Sequence, residues 1–176
     1  MQKKIIRLAI ITVVILLIPL IASQFTKDVK WDWFDFILMG ILIFGTGLAY
    51  ELISKRSDKY EYKAAIGIGL LGGFLLFWVN GAVGIIGSED ESINLLYFFV
   101  LLIGLIGSFV VRLKARGMIY ILLSMAVLQM LVPVIALIGK QLDFDPSVLG
   151  VFALNVFFAT IFVLSALLFR RADSKK

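Results

Sequence analysis

The chain has 176 residues, 61% hydrophobic and 16% charged, and a mean hydropathy of +1.05. Soluble domains carry about 45–50% apolar and about 25% charged residues, and a chain this short exposes too much surface to hide the excess in one core, so lipid is the solvent for most of it. The net charge is +5 with no His and no Cys, which excludes disulfides, thiolate chemistry and His-based metal, haem or catalytic sites within this chain and implies no cofactor.

About 20 apolar residues span the hydrocarbon core. The sequence predicts six such spans, at residues 5–23, 34–54, 64–87, 93–111, 118–139 and 148–169, joined by short loops. The expected fold is an all-α membrane protein, a six-transmembrane-helix bundle forming one integral membrane domain over residues 1–176. The first span opens with Lys3, Lys4 and Arg7, and Pro19 and Ala22-Ser23 stand near its end. A signal peptide shares that pattern, but the run reaches spanning length and is read as a retained helix.

Charge fixes the expected orientation. Fourteen of the seventeen Lys and Arg fall on one side of this topology, and only Lys27, Lys30 and Lys140 on the other. By the positive-inside rule both termini are expected in the cytoplasm. Eight of the twelve acids lie on the far side, among them Asp32, Asp35 and Glu89–Glu91. The basic residues form short clusters between apolar runs, which suits anionic lipid rather than nucleic acid as a partner.

In the second span Glu51 is the sole acid within a predicted span apart from Asp35 at its outer boundary, with Lys55 at i+4 as a favourable helix partner. Twelve of the fifteen glycines lie between Gly40 and Gly107. Small residues let helices approach closely in lipid, so spans two to four are expected to form the packed centre. On span three, Gly69, Gly73, Asn80, Gly84 and Gly87 recur near helical steps and share one face. Asn80, Gln129 in span five and Asn155 in span six are amides at membrane depth, with Gln129 nearest the middle. Such groups face the bundle interior, either as interhelical hydrogen bonds or as a polar pocket that would bind a ligand. Pro133 removes the amide that would bond the carbonyl of Gln129, so a kink is expected there.

The acidic loop between spans three and four has two readings. Glu89, Asp90 and Glu91 offer oxygens to a hard cation, although consecutive acids point in different directions. The alternative is a solvated loop in which Ser92 caps span four. A weak internal echo links spans two–three to spans four–five: Gly45-Thr46-Gly47 ahead of Lys55-Arg56 resembles Gly104–Gly107 ahead of Arg112–Arg116.

The stretch Trp78-x-Asn80-x-Ala82-Val83-Gly84-Ile85-Ile86-Gly87-x-Glu89, followed by Asn94-Leu95-x-Tyr97, resembles a signature of small uncharacterised bacterial multi-pass inner-membrane proteins. Gly47-Leu48-x-Tyr50-Glu51-Leu52 and the closing Leu168-Phe169-Arg170-Arg171 fit the same pattern, which covers roughly residues 33–171. Glu91-Ser92 stands where an Asn-Pro-like turn is expected. The resemblance implies membrane location and architecture, and no active site.

No Ser–His pair, phosphate-binding Gly-Lys loop or cytoplasmic Asp cluster is present, which argues against an enzyme. The expected role is a non-catalytic membrane component that contacts other membrane proteins or copies of itself. A small transporter or channel built on Asn80, Gln129, Asn155 and Glu51 is the alternative. Reporter fusions after Arg56 and Lys176 are expected to read cytoplasmic and one after Glu91 external. An external signal at the C-terminus would refute the topology.

Overall fold

The computed structural model describes residues 2–25, 31–88, 90–139 and 148–174. Among them every regular element is helical: α1 (Gln2–Phe25), α2 (Trp33–Ile53), a 3₁₀ turn (Ser54–Arg56), α3 (Tyr60–Val83), a second 3₁₀ turn (Ser92–Asn94), α4 (Leu95–Val110), α5 (Ala115–Ile138) and α6 (Val148–Ser174). Six helices, α4 counted with its leading turn, are long and apolar enough to cross a membrane. The chain is therefore an all-α polytopic membrane protein. Helices meet the demand of lipid because each satisfies its own backbone hydrogen bonds, while Ile, Leu, Val and Phe side chains remain exposed along their outer faces.

The chain divides into two compact units, Met1–Ile53 and Ser54–Lys176. The first is a hairpin of α1 and α2. Its second helix starts at a reciprocal cap: the Asp35 amide donates to Asp32 Oδ1 at 3.0 Å, and the Asp32 amide to Asp35 Oδ2 at 2.9 Å. This is the capping-box arrangement with aspartates in both places. Gly40 and Gly47 of α2 face Leu16 and Leu8 of α1. At the basic end, Lys4 Nζ lies 2.7 Å from Glu51 Oε2.

The second unit is a ring of four helices in which α3 packs on α6, α6 on α5, α5 on α4 and α4 back on α3. The close approaches come from absent side chains. A Cβ on Gly72 would stand 2.6 Å from Ile161 Cγ2 of α6, and one on Gly107 2.6 Å from Ile121 Cδ1 of α5. Gly69 acts differently. It leaves room for Ser165 of α6, whose hydroxyl donates to the Ala65 carbonyl of α3 at 2.8 Å. Tyr62 and Phe169 meet edge to face at 5.2 Å, bringing the start of α3 to the end of α6.

Three expectations change. The most buried helices are α5 and α6, not the glycine-rich spans two to four. Ala126 and Ala136 of α5 and Ser165, Ala166 and Ala172 of α6 are all buried, and small side chains serve close packing as glycine does. Glycine count was a poor guide for a second reason: Gly45 and Gly81 have nothing within 4 Å of where a Cβ would be. Second, α3 ends at Val83 rather than near residue 87, so Gly84 and Gly87 are loop residues and not helix-packing ones. Both sit at positive φ, +69° and +67°, a conformation glycine adopts without steric penalty. Third, the boundary between units falls between α2 and α3, which splits the first half of the suggested internal repeat.

Replacing Gly72 by Ala should destabilise the purified protein by about 1–3 kcal/mol, the range for overpacking a filled site. Gly81→Ala, into open space, should leave thermal unfolding in detergent unchanged. Equal midpoints for the two variants would show that the α3–α6 contact is not tight.

Candidate functional site

The end of α3 organises the polar interior. Gly84 turns the chain out of the helix, yet Ile85 and Ile86 do not leave the protein: each is about 1% exposed. A buried irregular segment carries backbone groups that need partners, and one side chain supplies them. Asn94 Oδ1 accepts from the amides of Ile85 at 3.2 Å and Ile86 at 3.1 Å, and its Nδ2 donates to the carbonyls of Ile86 at 3.0 Å and Ser88 at 2.7 Å. A carboxamide has two acceptor and two donor positions, and here all four are used.

This side chain stands at the cap position of α4 without capping it, because its hydrogen bonds run back to the loop. Ser92 opens the 3₁₀ turn, and no side-chain cap forms there, so the expected Ser92 cap is absent. Asn80, in the last turn of α3, donates from Nδ2 to the Asn94 carbonyl at 3.0 Å. The helix end, the loop and the start of α4 are thus tied through Asn94. Its signal in the sequence was the resemblance stretch, where it drew no separate attention.

Gln129 and Asn155 meet directly. Gln129 Nε2 of α5 donates to Asn155 Oδ1 of α6 at 3.0 Å, and Asn155 Nδ2 donates to the Val151 carbonyl one turn earlier at 2.8 Å. The helix-rise count set Gln129 deeper than Asn155, but the side chains bridge that offset. Tyr97 of α4 points its hydroxyl toward Asn155 without closing a hydrogen bond within ordinary geometry. Tyr97, Gln129 and Asn155 are each fully buried, and Asn80 is 2% exposed. Helix α5 runs through Pro133 as one element.

Three oxygens in this interior, Asn80 Oδ1, Tyr97 Oη and Gln129 Oε1, have no hydrogen-bond partner among the described residues. A buried polar group left unpaired costs about 1–3 kcal/mol. Together they offer two carbonyl acceptors and one hydroxyl. Two amide carbonyls and a phenol can hydrogen-bond a polar group but do not exchange protons as acids or bases near neutral pH.

The other candidates have surroundings of their own. Glu51 belongs to the first unit, ion-paired with Lys4, and Lys55 falls in the 3₁₀ turn beyond α2. Glu89 lies outside the described residues, and Asp90 and Glu91 are exposed. No group of three or more potential metal-ligating side chains forms among the described residues. Gly69 and Gly73 face Ser165 and Leu101 respectively, on two different neighbours.

No protein-family model, curated protein or solved structure matches this chain.

Asn94→Ala should destabilise the protein by on the order of 4 kcal/mol or more, because two amides and two carbonyls lose their partner at once. Asn80→Ala removes one interhelical bond and should cost about 0.6–1.7 kcal/mol. Thermal or steric-trap unfolding of the purified protein reads both; an Asn94→Ala midpoint equal to the parent's would remove the clamp from the account.

Proposed function

We propose that this protein is a non-catalytic component of a bacterial inner membrane, with both termini cytoplasmic, that serves as a partner subunit for other membrane proteins or for copies of itself. The observation that carries this reading is the use made of the buried polar side chains. Asn94 closes a loop, Gln129 joins α5 to α6, and Ser165 joins α6 to α3, so each ties the fold together. The hairpin of α1 and α2 supports the partner role. Thr12 and Met39 are the only buried residues in its described helices, which leaves broad apolar faces for lipid or another membrane protein. The clustering of basic residues on one side of the topology supports the orientation, and the sequence resemblance supports the bacterial inner membrane.

A small transporter or channel is the second reading, favoured by the three unpartnered oxygens of Asn80, Tyr97 and Gln129. Substitution separates the two. Under the component reading, Gln129→Leu and Asn80→Leu lower abundance or leave the phenotype unchanged, and deleting the chain lowers the level of one defined membrane protein that co-purifies with it in fixed ratio. Normal accumulation of both variants with loss of a solute flux in reconstituted vesicles would overturn that reading in favour of transport.

A further inference from the structure

At the end of the second unit opposite the Asn94 clamp, α4 passes to α5 through a turn at residues 111–114. Arg112 and Leu113 both sit at positive φ, +53° and +57°, which costs a non-glycine residue about 1–2 kcal/mol. The turn is closed by the Arg112 amide on the Phe109 carbonyl at 2.9 Å and the Leu113 amide on the Ser108 carbonyl at 3.0 Å. Its own carbonyls are held from the α3 side. Arg56 Nη1 donates to the Arg112 carbonyl at 2.9 Å, and Tyr62 Oη to the Leu113 carbonyl at 2.8 Å.

Held this way, the turn forms one wall of a depression of about 730 Å³ to which Arg56, Lys59, Arg112, Lys114 and Arg116 contribute, with Asp173 as the one acid in its lining. Arg56 and Lys59 already donate to carbonyls, of Arg112 and Ala172. The side chains of Arg112, Lys114 and Arg116 have no carboxylate partner among the described residues. The same three residues also line a second depression of about 510 Å³, whose remaining walls include Val110 and Tyr120. Those two are 74% and 63% exposed. Lys114 caps α5 without a side-chain acceptor, so the first amides of α5 add partial positive charge beside the cations.

Three cations without a carboxylate partner therefore line two hollows, with Val110 and Tyr120 exposed beside them, at the ends of membrane-spanning helices. That arrangement matches an amphiphile with an anionic head. We propose that Arg112, Lys114 and Arg116 bind the phosphate of an anionic phospholipid headgroup, with its acyl chains lying along Val110 and Tyr120. A soluble phosphate compound would satisfy the cations but would leave the exposed Val110 and Tyr120 uncovered. The proposal is independent of the role of the buried amides and of the partner-subunit reading.

The full chain, purified in a neutral detergent, is melted with added phosphatidylglycerol, phosphatidylcholine or inorganic pyrophosphate. Phosphatidylglycerol should raise the melting temperature saturably, and the other two should not. A double variant, Lys114→Gln with Arg116→Gln, should melt like the parent without lipid and need roughly tenfold or more phosphatidylglycerol for the same shift. Arg170→Gln with Arg171→Gln removes equal charge outside the depression and should respond as the parent does. Equal responses to the two lipids, an equal loss in both double variants, or a pyrophosphate shift matching that of phosphatidylglycerol would each overturn the proposal. Native mass spectrometry of the unaltered chain supplies an arm that needs no variant. Preferential retention of phosphatidylglycerol supports the site, and equal retention of phosphatidylcholine refutes it.

Discussion

The second unit depends on the saturated amide of Asn94, because the chain there buries irregular backbone that has no helix ladder to satisfy it. Buried non-helical backbone is tolerated only where its polar groups find partners, and four groups at Ile85, Ile86 and Ser88 are satisfied by this one side chain. Gly84 makes the geometry accessible. A Cβ there would meet the Ser88 carbonyl oxygen at 2.5 Å and Asn94 Nδ2 at 2.8 Å, in addition to the strain of a left-handed φ. Because the same residue's carbonyl receives Asn80, the end of α3 and the start of α4 are fixed to each other as well as to the loop. That fixes Tyr97, one turn further along α4, against the α5–α6 pair of Gln129 and Asn155.

The two ends of this unit are built on different physics. One end holds its loop inward with buried neutral amides, among which an unpaired charge would be expensive. The other gathers cations around a turn with two residues in left-handed conformation, held by Arg56 and Tyr62. Charge can be concentrated there because water and headgroups are within reach. The one-sided clustering of Lys and Arg along the chain and the basic depression are thus one distribution seen at two scales: clusters separated along the chain become a single surface when α3, α4, α5 and α6 bring their ends together.

The span count and composition were legible because membrane helices must be long and apolar regardless of their neighbours. The buried state of Asn80, Gln129 and Asn155 was legible for the same reason, since an amide at that depth has few alternatives to facing inward. Their grouping was less so. Gln129 and Asn155 pair, whereas Asn80 belongs to the Asn94 clamp, and no periodicity within one helix encodes which neighbour it will meet. Centrality was misjudged because small residues mark close approach only when another helix is there. Gly72 has Ile161 against it, while Gly81 faces open space.

What the sequence determined by itself was the solvent and the elements: lipid, six spans, and a chemistry without thiols or imidazoles. These follow from composition and local length, which do not depend on packing. Tertiary structure alone decided that Asn94 would be the organising side chain, that Ser165 would reach the Ala65 carbonyl past Gly69, and that Arg112, Lys114 and Arg116 would share two hollows. Each of these depends on groups from different helices arriving within a few ångströms, or on a reversed turn whose φ values no helical pattern announces.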